Sequence, residues 1–97
     1  MYKLIIKPRA IEMALEAFKW YEEQKAGLGD FFLSEVEICY DKIEEQPLLY
    51  AKIKKDFRQI NLRTFPYVIV FEILKDEVVV YTVFHTSRSP RKKFKKQ

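Results

Sequence analysis

The chain opens with a period of two: Tyr2, Leu4 and Ile6 alternate with Lys3, Ile5 and Lys7, and apolar residues favoured in sheets dominate, which predicts a strand. Pro8 ends that pattern and suits the first turn of a helix. From Ala10 to Lys25 the period lengthens, with Ile11, Ala14, Leu15, Phe18 and Tyr21 at helical spacing. Met13, Ala17 and Trp20 widen the stripe beyond one contact surface, so this helix needs two neighbours, and Phe18, Trp20 and Tyr21 read as core. Gly27 suits a left-handed helix end, and Gly29-Asp30 offers a turn followed by a cap for a second helix. There Phe32, Val36, Cys39, Tyr40 and Ile43 form an apolar stripe, Glu35, Glu37, Asp41, Glu44 and Glu45 read as solvated, and Pro47 stops the pattern.

A connector from Leu48 to Asp56 mixes apolar anchors with lysines and reads as packed. Three β-patterned runs follow, the first over 57–63, the second over 65–73 and the third from Val78 onward, joined at Thr64-Phe65-Pro66 and Lys75-Asp76-Glu77. Such short connections predict an antiparallel meander. In the middle run Tyr67, Ile69, Phe71 and Ile73 share one face while Val68, Val70 and Glu72 share the other. The expected fold is α+β, β-α-α-β-β-β, with the helical hairpin packed on one face of the sheet. At 97 residues and 48% hydrophobic content this is a single domain, with residues 91–97 expected to form a frayed basic tail.

Charge changes the picture. Residues 1–46 carry six Lys/Arg against ten Asp/Glu, a net −4, whereas residues 47–97 carry twelve against four, a net +8. A basic half on a small sheet suits an anionic partner such as nucleic acid, and an acidic protein equally. The single cysteine, Cys39, excludes an intramolecular disulfide. With one histidine beside it, no zinc cluster is available, so neither metal nor cofactor is expected. Apolar runs fall short of a membrane span and the start is too promptly charged for a signal peptide, which points to a cytoplasmic protein with no membrane partner.

The order strand, helical hairpin and meander, carried by Trp20-Tyr21-Glu22-Glu23-Gln24, Gly27-Leu28-Gly29, Phe32, Ile43, Pro47, Arg58, Leu62, Phe65-Pro66-Tyr67 and His85-Thr86-Ser87-Arg88-Ser89-Pro90, resembles the RelE/ParE superfamily of toxins from bacterial type II toxin–antitoxin modules, including plasmid stabilisation proteins. The resemblance covers nearly the whole chain. It implies a cognate antitoxin that wraps the toxin, as part of a homodimer or a heterotetramer, and one of two targets: DNA gyrase for the ParE branch, or messenger RNA on the ribosome for the RelE branch. The His-x-x-Arg-x-Pro ending and the Phe-Pro-Tyr turn look more like the ParE branch. RelE-type nucleases typically place a tyrosine or further basic residues near the C-terminus, where this chain has Thr86 and Phe94.

RNA cleavage by a 2′-hydroxyl needs a proton acceptor, a proton donor and cations around the phosphorus. His85, Arg58, Arg63 and Arg88 are the residues able to supply that set, with His85 at the end of the last strand brought near Arg58. Each also has a plainer reading. A lone histidine at a strand end is more often a hydrogen-bonded structural residue, and Arg58 can lay its stem across the core edge and pair with Glu72. Arg63 and Arg88 beside turns can be solubilising surface, and Lys92 and Lys93 can touch phosphates or be a solvated end. Phe31 and Ile38, off the main stripe of the second helix, are candidates for an apolar groove that binds the antitoxin. The readings that remain are a ParE-like gyrase toxin, a ribosome-dependent endoribonuclease, and a non-toxic binding module that keeps the fold.

Overall fold

Hydrophobic alternation in the second half of the chain becomes the spine of the sheet, and the helical stripes become its cover. The computed structural model describes residues 2–87. They form β1 (Lys3–Ile6), α1 (Pro8–Gln24), α2 (Leu28–Glu45), a 3₁₀ turn (Pro47–Leu49), β2 (Lys52–Lys54), β3 (Phe57–Asn61), β4 (Tyr67–Leu74) and β5 (Glu77–His85). The expected α+β class with a helical hairpin is what forms, but the sheet has five strands in the order β1-β5-β4-β3-β2. The additional strand, β2, lies within the connector, where Lys52 to Lys54 pair with the start of β3 across a turn that places Lys55 at φ 52. β1 joins the other edge, parallel to β5 from Lys3↔Glu77 to Ile6↔Val80.

Pro8 opens α1 as the sequence implies, but the buried face of that helix is Ala10, Ala14 and Ala17 rather than its large residues. Ile11 and Leu15 are about half exposed, and Trp20, expected in the core, is 57% exposed. The three alanines let the backbone of α1 lie close to the sheet, and the larger side chains splay to the two flanks. α2 starts earlier than expected. Gly27, at φ 89, is its N-cap, so Gly29 and Asp30 lie inside the first turn instead of forming the preceding turn and cap. The capping acceptor comes from the neighbouring helix: Glu22 Oε2 accepts from the Gly27 N–H and Oε1 from the Gly29 N–H, both at 2.9 Å. Gly29 permits this approach, since a Cβ there would stand 2.7 Å from both the ring and the carbonyl oxygen of Phe18.

The helices bury Phe32, Val36, Cys39 and Ile43 with the alanines of α1 against Ile60, Leu62, Ile69, Phe71, Val78, Val80 and Val83. Tyr21, Phe32, Phe65 and Tyr67 form an aromatic knot at one end of this core, with ring centroids 4.7–6.2 Å apart. The opposite face carries a second buried cluster of Phe57, Val68, Val70, Val79, Tyr81 and Phe84. The two faces of β4 therefore divide as its alternation predicts. Between Val70 and Phe71 the register with β5 shifts, leaving Tyr81 as the extra residue of a bulge.

Glu35 does not point to solvent. It is 7% exposed and accepts from the Thr64 N–H at 2.9 Å, tying α2 to the loop between β3 and β4. Arg58 pairs in register with Phe71 and so shares the helix-side face. There its Nη1 donates to the Tyr50 carbonyl at 2.6 Å. Glu72 is on the other face, where it accepts from the Tyr81 hydroxyl at 2.9 Å, so the expected Arg58–Glu72 pairing is not how either side chain is placed.

Candidate functional site

The N-terminal residues of β4, the C-terminal residues of β5 and one flank of α1 enclose a cleft of about 590 Å³. The α1 side is Met13, Glu16, Ala17, Trp20 and Tyr21, and the sheet side is Pro66, Tyr67, Val83, His85 and Ser87. The spacing 13, 16, 20 puts three of these side chains on one helical flank, turned away from α2. Trp20, edge-on to Tyr21 at 5.1 Å, stands over the cleft with much of its indole in solvent. The volume and the mostly apolar wall, with a few polar groups, are those of a ligand or peptide-anchor site.

His85 sits in this wall, perpendicular to the Tyr67 ring with centroids 5.0 Å apart. The Ser87 N–H donates to its Nδ1 at 3.1 Å, and Ser87 Oγ lies 2.8 Å from the same nitrogen. Nδ1 is thus the acceptor, so the neutral ring carries its proton on Nε2 and offers a donor to whatever enters.

The structure gathers the sequence candidates only in part. Tyr67 pairs with His85, and Arg58 is opposite Phe71, four residues further along β4. That separation is about 13 Å along the strand, with one more strand between, so His85 and Arg58 are not neighbours. Arg63 lies in the exposed loop before Tyr67, at the same end of the sheet as His85, and Leu62 N–H bonds the Tyr67 carbonyl to close that loop. Arg88, Lys92, Lys93 and the rest of the basic tail lie outside the described residues. Phe31 and Ile38 share a ridge of α2 with Glu35 between them, each about half exposed, and Phe31 meets Phe65 edge-on at 5.3 Å.

Sequence reasoning missed Trp20 and Glu16 as cleft residues, because a tryptophan inside an apolar stripe reads as core. The signal was present in the three alanines, whose spacing marks a closer contact face than the large residues do. Elsewhere burial raises three weak acids: the Cys39 thiol to about 11, Tyr40 to about 12, and Tyr81 to about 12 with further help from the Glu72 carboxylate it bonds. Among the described residues no group of acidic, histidine or cysteine side chains is arranged to hold a metal ion. None of their helices is long and apolar enough to cross a membrane.

The architecture matches a solved structure described as the chromosomal ParDE TA system from P. aeruginosa, with a TM-score of 0.76 over 90% of this chain and 98% of that chain, at 12% sequence identity. At that identity the match speaks for the fold. Comparison with curated protein sequences returned no match. The model of the family described as ParE toxin of type II toxin-antitoxin system, parDE, matches residues 4–90, which takes in the hairpin, the cleft and all of the sheet but its first residue, and the chain belongs to the ParE toxin family.

Proposed function

We propose that this protein is a cytoplasmic toxin that acts on DNA gyrase and is held off by a cognate antitoxin. Family membership supplies the toxin class. The observation that carries the choice of target is the dispersal of the cleavage set. Arg58, the cation expected beside His85, is engaged with the Tyr50 carbonyl about four residues along the sheet from it, and the Nδ1 of His85 is taken by Ser87. A nuclease needs base, acid and cation converging on one phosphate, and here the described candidates face different surroundings. Gyrase inhibition needs a surface that docks, for which the basic C-terminal half is suited by charge. Phe31 and Ile38, exposed on one ridge of α2, and the Trp20 cleft are apolar surfaces available to an antitoxin. That the matched structure is described as a ParDE TA system supports such a partner.

The test pairs two assays on the purified protein. Gyrase supercoiling is expected to stop while messenger RNA on translating ribosomes stays intact, and His85→Ala is expected to leave supercoiling inhibition unchanged. Codon-positioned RNA cuts, abolished by His85→Ala, would replace this reading with the endoribonuclease one. Growth unaffected by induction without antitoxin would leave only a binding module.

A further inference from the structure

The 3₁₀ turn after α2 holds two leucines in water. Pro47 is fully buried and Tyr50 packs on the helix-side core, its ring centroid 6.2 Å from that of Phe71, so the turn is pinned at both ends. Between these anchors Leu48 and Leu49 are 65% and 72% exposed, the two most exposed of the large apolar side chains among the described residues. Leu49 N–H donates to the Gln46 carbonyl at 3.2 Å and Tyr50 N–H to the Pro47 carbonyl at 3.3 Å, which fixes the backbone that carries them. Arg58 fastens the exit of the turn, its Nη1 donating to the Tyr50 carbonyl at 2.6 Å. That bond is a use for a partly buried arginine that a cleavage site does not supply.

The same end of the sheet adds Ile53 and Leu74, both partly exposed, and a hollow of about 240 Å³ joins Leu48, Lys52 and Leu74. The two hairpin turns beside it place Lys55 at φ 52 and Lys75 at φ 57, left-handed positions that glycine or asparagine occupies more easily. Across residues 48–58 and 74–77 there are five lysines and arginines against three carboxylates, and one of those, Asp56, already pairs with Lys52 at 3.2 Å. Leu74 ends β4 at the opposite end from Tyr67, about 24 Å along the strand from the wall of the Trp20 cleft.

An apolar pair on a rigid mount loses little freedom on binding, the condition under which a small contact becomes an energetic anchor. A phosphate backbone offers nothing to the leucines, and a second copy paired through this edge would set lysines against lysines. A protein surface with an apolar pocket and carboxylates at its rim suits both parts of the patch. We infer that Leu48 and Leu49 are the plug by which the toxin docks on its protein target, entering an apolar pocket on gyrase whose acidic rim meets Lys55 and Lys75. This inference rests on the gyrase reading above and adds the place and chemistry of the contact.

The test compares full-length variants in gyrase-catalysed supercoiling. Leu48→Ser/Leu49→Ser is expected to raise the toxin concentration for half-inhibition about tenfold or more. Its melting temperature, its sedimentation and its affinity for the purified product of the reading frame beside the toxin gene are expected to stay near those of the wild type, because both side chains are already largely in water. Lys55→Glu/Lys75→Glu is expected to raise the same concentration about fivefold at low salt and less as salt rises, and it decides the matter if the leucine variant does not fold. Unchanged inhibition by the leucine variant overturns the plug and leaves the gyrase reading intact. Wild-type toxin that does not inhibit gyrase defeats both. A leucine variant that sediments as a smaller species, or binds the antitoxin about tenfold more weakly, assigns the turn to a second copy or to the antitoxin, and loss confined to the lysine variant assigns the patch to DNA; each of these overturns the inference.

Discussion

Replacing Glu22 with alanine removes the acceptor for two amides at the start of α2, and the two losses differ in size. The Gly29 N–H is on a buried residue, so water does not replace the lost partner; a hydrogen bond to a charged group of this kind contributes about 1.5–3 kcal/mol. The Gly27 N–H is exposed, and water recovers most of that bond, leaving a loss of about 0.5 kcal/mol. Loss of a negative charge at the N-terminus of α2 adds about 0.3–1 kcal/mol at low salt. A destabilisation of about 2–4 kcal/mol follows, read as a lowered midpoint in urea with unchanged slope, or as a fall of roughly 10 °C or more in melting temperature. Glu22→Gln, which keeps one acceptor and no charge, is expected to fall between the two. A Glu22→Ala protein within about 0.5 kcal/mol of the wild type would refute the assignment of Glu22 as the cap of α2.

Gly29→Ala is expected to destabilise the fold despite the better helix propensity of alanine, worth about 1 kcal/mol, since the new Cβ would meet the Phe18 carbonyl oxygen at 2.7 Å; equal or higher stability in urea denaturation would contradict that contact. Glu35→Ala is expected to cost about 1–3 kcal/mol by orphaning the Thr64 amide, and to raise hydrogen exchange across residues 63–65, with Glu35→Gln much milder. For Cys39, Tyr40 and Tyr81 the folded state holds the proton more tightly than the unfolded chain does, so their contribution is complete at neutral pH and is lost as pH climbs from about 9 toward about 12. The urea midpoint is expected to fall across that window, and Cys39 to resist alkylation at pH 8 until the protein unfolds; a midpoint that rises with pH would show the sign to be wrong.

The central sheet was legible because alternation and burial coincide there: Ile69 and Phe71 face the helices, Val68 and Val70 the other cluster, as period two requires. The α2 stripe was legible for the same reason, Phe32, Val36, Cys39 and Ile43 all being buried at helical spacing. α1 misled where size and contact diverge. Its face against β5 is built from alanines, and hydrophobicity alone assigned Ile11, Leu15 and Trp20 to a core that close packing leaves no room for. Glu35 and Arg58 show the limit of reading charge as exposure. Each is satisfied by a backbone group remote in sequence, Thr64 N–H and Tyr50 C=O, and no local pattern marks such a partner. The cleft belongs to that class too, since it depends on β1 stopping at Val80 while β5 continues.

The most direct test of the account is a titration of the purified toxin into gyrase-catalysed supercoiling of relaxed plasmid, read beside translation-dependent cleavage of messenger RNA in the same preparation. The account predicts dose-dependent loss of supercoiling with intact message. Undisturbed supercoiling together with codon-positioned cuts in ribosome-bound message would contradict it.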